Sequence, residues 1–335
     1  MVLNLIHYLC SVKIANEYMK YMKKTLKFIG YSVLAIILLL VVGVLLIRFV
    51  FRDEVANFAY ELRGKEHIEL LQMANQYQSD TINIAFELSS PADKAKEIRD
   101  YFQLDSLIKE SNNTWDATLR IAQIAASIKH DNPDPRPIKY NAIDLWEWAK
   151  EHPNGFNCRT HSIMLYELLL SVGIANRVIT CSPKDTTDRD CHVVNSVWLP
   201  EKNKWVMVDS DKHAYCTDKN GNLLSLEEMR DRIIMQEYIN FNSFTVDSIN
   251  RKDLLHYYWA KNLYYFDAIE KQTYNVESTP GNNYRKIYLV PQKPDAPKSF
   301  RPQYDVLTTD VDKFWAEPIP IKKQQYNGDL LTFTK

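Results

Sequence analysis

Three residues in the middle of this chain have the types and the order needed for chemistry at a sulfur atom: Cys158, His192 and Asp209. His192 follows the cysteine by 34 positions, and Asp209 follows the histidine by 17. A thiol nucleophile needs a base to take its proton, and the base needs a third group to orient it. The set supplies one group for each role, so the sequence predicts nucleophilic catalysis by Cys158.

Cys158 begins an apolar run that is typical of a buried helix. The predicted helix extends from about Cys158 to Val172, with Asn157 as its N-cap and Gly173 as the residue that ends it. A cysteine in an apolar run is more often a small core residue, but this one stands at the polar start of its helix. The positive end of the helix dipole favours a thiolate there.

The segments "HVVNSVWL" and "KWVMVD" alternate as two strands of a hairpin. If Trp198 lies opposite Trp205, His192 lies opposite Asp211 and diagonal to Asp209, all on one face. A lone histidine at a strand start is more often a hydrogen-bonded structural residue, and the pairing alone does not choose between the two aspartates. The strands nevertheless allow an imidazole–carboxylate contact.

Residues 142–211 resemble the transglutaminase-like superfamily, a branch of the papain-like cysteine hydrolases and transferases. The resemblance rests on "GFNC", "LYELLLSVGIANR", "HVVNSVW" and "KWVMVD", in that order. Two segments depart from it: many members have a shorter spacing from the histidine to the tryptophan, and many have Asp-Pro-Thr where this chain has "DSD". The resemblance implies an α+β fold in which helices pack on an antiparallel sheet.

The resemblance also implies a reaction. Cys158 would be the nucleophile, His192 the base, and Asp209 rather than Asp211 the third member, with no cofactor and no metal. We expect hydrolysis of peptide or amide bonds in a peptide or protein substrate. The alternatives are acyl transfer to an amine by the same triad, and a non-catalytic scaffold that binds peptides. His161, which follows the nucleophile on the same helix face, is expected to be a packed neighbour and not a second base.

A second strong feature is an uncharged apolar run from Phe28 to Ile47, which is long enough to cross ~30 Å of hydrocarbon as a helix. Lysines precede it, at positions 13, 20, 23, 24 and 27. The lysine excess predicts a cytoplasmic N-terminus and a periplasmic or extracellular remainder. No A-x-A-like cleavage site follows, so an uncleaved signal anchor of bacterial type is expected rather than a cleaved signal peptide.

The chain has 335 residues and a net charge of −1, which gives no indication of nucleic-acid binding. It contains no P-loop and no dinucleotide fingerprint. The predicted organisation divides it into five parts. These are a cytoplasmic tail (1–27), a transmembrane anchor (28–50), N-terminal helices (51–110), a catalytic core (111–237) and a C-terminal extension of unassigned role (238–335).

Smaller elements follow from local signals. Helices are expected at about 54–78, 91–109, 115–130 and 141–151. Ser225 and Glu228 form a predicted capping box at the start of another helix, and "RKIYLVP" predicts a strand.

Two further cysteines stand at the ends of neighbouring predicted strands. Cys181 and Cys191 flank a polar loop, and an oxidising compartment would allow them to form a disulfide. Cys216 is an alternative partner for either. A zinc site built from Cys191, His192, His213 and Cys216 is a further alternative, although the spacing is not that of a familiar zinc finger.

Overall fold

The computed structural model describes most of the chain and divides it into two compact units, residues 1–60 and 61–335. The described residues are 2–49, 52–132, 135–153, 155–185, 187–188, 190–245, 252–278, 284–291 and 296–318.

The first unit is dominated by helix α1 (Val2–Phe49). Its stretch Tyr18–Leu46 spans 29 residues and is apolar and long enough to cross a membrane or to act as a signal anchor. The side chains of this stretch are exposed, as those of a helix that packs against lipid would be. The predicted run Phe28–Ile47 lies within α1.

The other described helices begin with α2, which extends into the second unit. They are α2 (Arg52–Met73), α3 (Ala92–Phe102), α4 (Leu104–Lys109), α5 (Thr114–Ala126), α6 (Ala142–Glu151), α7 (Cys158–Ser171), α8 (Leu226–Ile234), α9 (Lys252–Asn262) and α10 (Val311–Phe314).

The described strands form one large sheet and one small one. They are β1 (Glu87–Leu88), β2 (Asn176–Ser182), β3 (His192–Leu199), β4 (Lys204–Asp209), β5 (Ala214–Thr217), β6 (Asn240–Ser243), β7 (Tyr265–Ile269), β8 (Lys271–Gln272), β9 (Lys286–Leu289) and β10 (Val306–Thr308). The eight-stranded sheet has the order β10-β9-β7-β2-β3-β4-β5-β6, and β1 pairs with β8 apart from it. Neighbours in the large sheet are antiparallel except β10 and β9. The predicted α+β class with an antiparallel sheet is confirmed.

The hairpin β3–β4 has the register predicted from the sequence, with Trp198 opposite Trp205. The strands are joined by a 3-10 turn at Pro200–Lys202, and Asn203 has a φ of 48°, in the left-handed region. Strand β2 pairs with the other edge of β3, where Cys181 lies opposite His192. The β3 strand therefore lies between β2 and β4, and its first residue pairs with β2.

Helices cover both faces of the sheet. Helices α3, α5, α6 and α7 pack on the face formed by Val197, Leu199, Val206 and Val208. The other face, which contains Val194 and Met207, is covered by residues 61–73 of α2 together with α8, α9 and α10. Since side chains alternate along β3, His192 belongs to this second face.

The N-caps predicted for α7 and α8 are observed, whereas the helices expected to reach about residues 78 and 130 end at Met73 and Ala126. Asn157 caps α7, Asn141 caps α6, and Ser225 with Glu228 forms the predicted capping box of α8. The single helix expected at about 91–109 is instead two helices, because Gln103 takes a left-handed conformation with a φ of 55°.

The region after residue 237 contributes strands to the same sheet. β6 adds to one end of it, while β7 pairs with β2 and carries β9 and β10 at the other end. Buried Glu167 of α7 links this region to the helices, since it accepts the backbone N–H groups of Ala142 and Asn275 at 2.8 and 2.6 Å. The predicted boundaries at residues 27, 50, 110 and 237 remain predictions.

Candidate active site

Helix α7, which carries the candidate nucleophile, begins after a constrained backbone at Gly155. The Asn157 side chain accepts the backbone N–H of Thr160 at 3.0 Å, which caps α7 and places Cys158 in its first turn. Gly155 has a φ of +97°, and a Cβ there would lie 2.0 Å from the backbone oxygen of Lys129. Only glycine fits this approach. Cys158 is partly exposed.

His192 and Asp209 form a buried pair. The imidazole Nε2 lies 2.6 Å from Asp209 Oδ2, and each side chain is only 2% exposed. The second carboxylate oxygen, Oδ1, accepts the backbone N–H groups of Asp211 and Lys212 at 3.1 and 3.0 Å. These donors fix the carboxylate, and the carboxylate fixes the imidazole.

The environment keeps the imidazole protonated. Burial alone lowers the pKa of His192, but the Asp209 carboxylate, its hydrogen bond and a hydrogen bond with the Cys158 side chain raise it to about 10. An imidazolium therefore stands beside the Cys158 sulfur at neutral pH. The structure thus brings together all three residues that the sequence selected.

Asp211 belongs to a different pair. Its Oδ1 lies 2.5 Å from His130 Nδ1, and its Oδ2 lies 3.0 Å from Lys212 Nζ. Burial opposes ionisation, but His130 and Lys212 hold the pKa of Asp211 well below its usual range. The two aspartates that the strand register could not separate therefore bind different histidines.

His161 is a packed neighbour of this second pair. Its ring is fully buried and stands edge-on to Phe156, with the ring centroids 5.6 Å apart. Burial lowers the pKa of His161 to about 4, although Asp211, 3.7 Å away, acts in the opposite direction. A neutral buried ring fits the packing role expected for it.

Aromatic residues of α9 contact the His192 imidazole, and the sequence did not single them out. The rings of Tyr258 and Trp259 stand edge-on to His192, with centroids 5.5 and 5.3 Å from that of the imidazole. The available signal was the dense aromatic cluster "HYYWAKNLYYF", which is unusual for an ordinary surface helix. The packing restricts rotation of the imidazole ring.

The predicted Cys181–Cys191 disulfide is wrong. Both residues are free thiols, as are Cys158 and Cys216. The register explains the result: Cys181 lies opposite His192, so it lies one position out of step with Cys191. Since successive side chains point to opposite faces, the two thiols do not face each other.

The zinc alternative also fails. Cys216 lies buried within β5, and His213 Nδ1 contacts Thr245 Oγ1 at 3.0 Å. Among the described residues, the possible metal ligands that lie within 4.8 Å of one another are those of His192, Asp209 and Asp211 instead. Two of these three already bind each other directly.

Comparison with known proteins agrees with the fold. Residues 103–210 match the family model of the transglutaminase-like superfamily, and the match contains Cys158, His192 and Asp209. The chain therefore carries a domain of the transglutaminase-like superfamily. This confirms the family predicted from the sequence.

A solved structure, Legionella pneumophila LapG (EGTA-treated), shows a distant likeness. The two chains are 17% identical over an alignment that covers 43% of this chain and 70% of the LapG chain. The TM-score is 0.25. So loose an overlap bears on neither activity nor substrate. No curated protein sequence matches the chain.

Proposed function

We propose that this protein is a membrane-anchored cysteine hydrolase that cleaves peptide or amide bonds through Cys158, His192 and Asp209. The observation that carries the proposal is the buried 2.6 Å contact between His192 and Asp209, in a site where the Cys158 side chain at the start of α7 helps to raise the pKa of the same imidazole. A nucleophile, a base and an orienting carboxylate in this order are the parts of a thiol protease.

The chemistry follows from the two ring nitrogens. Nε2 is bound to Asp209, which leaves Nδ1 for the sulfur. The Cys158 thiolate attacks the carbonyl carbon, and the His192 imidazolium gives its proton to the leaving amine. The neutral imidazole then takes a proton from water, which attacks the thioester. The acid product leaves, and the thiolate and imidazolium are restored.

The helix start would stabilise the charge that develops on the carbonyl oxygen. Cys158 is the first residue of α7, so its backbone N–H has no acceptor within the helix. This N–H is the first candidate for an oxyanion donor. The dipole of the 14-residue helix adds to its effect.

The proposal places the reaction outside the cytoplasm. The apolar stretch Tyr18–Leu46 would be a single transmembrane anchor, and the lysines before Phe28 would keep the N-terminus in the cytoplasm. The catalytic core, proposed as residues 111–237, and the extension 238–335 would then be periplasmic or extracellular. Peptides or proteins in that compartment would be the substrates.

The test uses the purified full chain in detergent with fluorescently labelled casein. Wild-type protein should release labelled peptides, and Cys158→Ala should lose this activity while its thermal unfolding stays near that of wild type. A biotinylated alkylamine, added to the same assay, measures acyl transfer. Amine incorporated into casein in place of hydrolysis would show the transfer reaction, and full turnover by Cys158→Ala would refute the triad.

A further inference from the structure

Helix α9 presents one face to both the catalytic histidine and the loop that precedes it. Tyr258 contacts the His192 ring, and Lys261, three residues later, lies on the same side of the helix. Lys261 Nζ is 5.9 Å from the centre of the Tyr258 ring. A single rigid element therefore reaches the imidazole and its approach loop together.

Lys261 binds two carboxylates of that loop. Its Nζ lies 3.0 Å from Asp188 Oδ2 and 2.6 Å from Asp190 Oδ2. The lysine side chain is only 13% exposed, whereas the carboxylates of Asp188 and Asp190 are 33% and 60% exposed. Burial lowers the pKa of His67 in α2, and the charges of Lys261 and Asp188 act on the same imidazole.

The loop ends close to the base. Asp190 precedes His192 by two positions, and the chain rises only about 3.3–3.6 Å per residue. A displacement of Asp190 is therefore transmitted to the first residue of β3. Misplacing a reacting group by about 1 Å can cost on the order of 10²-fold in rate.

We propose that Lys261 is a positioning residue for the catalytic base. Its ammonium group fixes the loop at Asp188 and Asp190, and thereby aligns the His192 imidazole with the Cys158 sulfur. The inference rests on the proposed function and extends it to the C-terminal region, which supplies α9. Lys261 acts through His192 and does not touch the substrate.

The test compares Lys261→Met and Lys261→Arg with a control, Lys204→Met. Lys204 makes a similar ion pair, 2.7 Å from Glu228, at the far end of β4. Two readouts are measured on the full chain: kcat and KM for labelled casein, and the rate of Cys158 alkylation by iodoacetamide, followed by peptide mass spectrometry. The second readout needs no substrate.

Lys261→Met should lower kcat by about 10- to 100-fold with KM changed less than about twofold, and should slow Cys158 alkylation at about pH 6. Lys261→Arg should restore both values, and Lys204→Met should leave them unchanged. Wild-type kcat and alkylation in Lys261→Met would overturn the proposal. Equal losses in Lys204→Met would also overturn it, since the effect would then be a general loss of stability.

A second variant, Asp190→Asn, tests the proposal if Lys261→Met does not fold. Asp190→Asn removes one of the two pairs from a carboxylate that is 60% exposed, so it leaves the core intact. It should lower kcat by at least about threefold, and a wild-type kcat would overturn the proposal. If wild-type Cys158 shows no rapid alkylation at all, the proposed function fails, and not this inference alone.

Discussion

At the scale of single residues, two neighbouring carboxylates have separate partners. Asp209 binds the His192 imidazole, whereas Asp211 binds His130. The alternation of β3 and β4 predicted that both aspartates share the face of His192, but it could not choose between them. The structure separates them because β4 ends at Asp209. Asp211 lies in the turn that follows, where its carboxylate binds His130.

Replacement of each aspartate should separate the two roles. Asp209→Asn is expected to lower kcat for labelled casein by about 10²–10⁴-fold, because the imidazolium loses the charge that holds it. Asp211→Asn should cost less than about tenfold, since the backbone N–H of residue 211 still binds Asp209 Oδ1, at 3.1 Å. Initial rates of the two purified variants provide the measurement. Equal losses would show that the carboxylates act as one unit.

At the scale of elements, the N-cap Asn157 fixes the start of α7, where Cys158 lies. The side chain of Asn157 accepts both the backbone N–H and the hydroxyl of Thr160, at 3.0 and 2.9 Å. Asn157→Ala should therefore lower the free energy of unfolding by about 1 kcal/mol, and Asn157→Asp, which can still cap, should lower it less. Urea unfolding of the two variants would measure the difference. An unchanged midpoint in Asn157→Ala would mean that the cap contributes nothing.

Local signals predicted the elements that carry the three candidate catalytic residues. Asn157 and Gly173 marked the ends of α7, and the paired tryptophans set the register of β3 and β4. These features depend on residues close in sequence, where caps, turns and alternation act. The break at Gln103 was missed because a left-handed glutamine has no sequence signature.

Helix α9 could not be placed from the sequence because its function depends on contacts with distant residues. Lys261 lies 71 positions after Asp190, one of the two loop residues that it binds. The aromatic cluster around Tyr258 indicated burial, but not the surface against which it packs. Only the folded sheet, in which β7 pairs with β2, brings α9 beside His192.

At the scale of the whole molecule, the C-terminal region completes the sheet that carries the candidate site. The strands β7, β9 and β10 are added beyond β2, and Arg159, next to Cys158, binds Glu277 through two nitrogens at 2.8 and 2.5 Å. Arg159 and Glu277 are 118 positions apart, and local patterns carry no information about such pairs. The same limit explains the wrong disulfide prediction. Only the strand register shows that Cys181 lies opposite His192 and not opposite Cys191.

The orientation of the chain in the membrane is a separate prediction. The lysines before the apolar stretch Tyr18–Leu46 should keep the N-terminus in the cytoplasm. In spheroplasts of bacteria that express the tagged chain, added protease should digest the C-terminal domain and spare an N-terminal tag. A cytoplasmic marker protein serves as the control for intact cells. Protection of the C-terminal domain would reverse the topology.

The most direct test of the central claim measures the reactivity of Cys158 against that of Cys191 in the same molecule. Both thiols are partly exposed, but burial raises the pKa of Cys191, whereas the His192 imidazolium, with a pKa of about 10, stands beside Cys158. With iodoacetamide at about pH 6, Cys158 should react at least about tenfold faster than Cys191, and His192→Ala should abolish the difference. Peptide mass spectrometry of the full chain gives both rates. Equal rates in wild type, or a Cys158 rate unchanged by His192→Ala, would contradict the proposed thiolate–imidazolium pair.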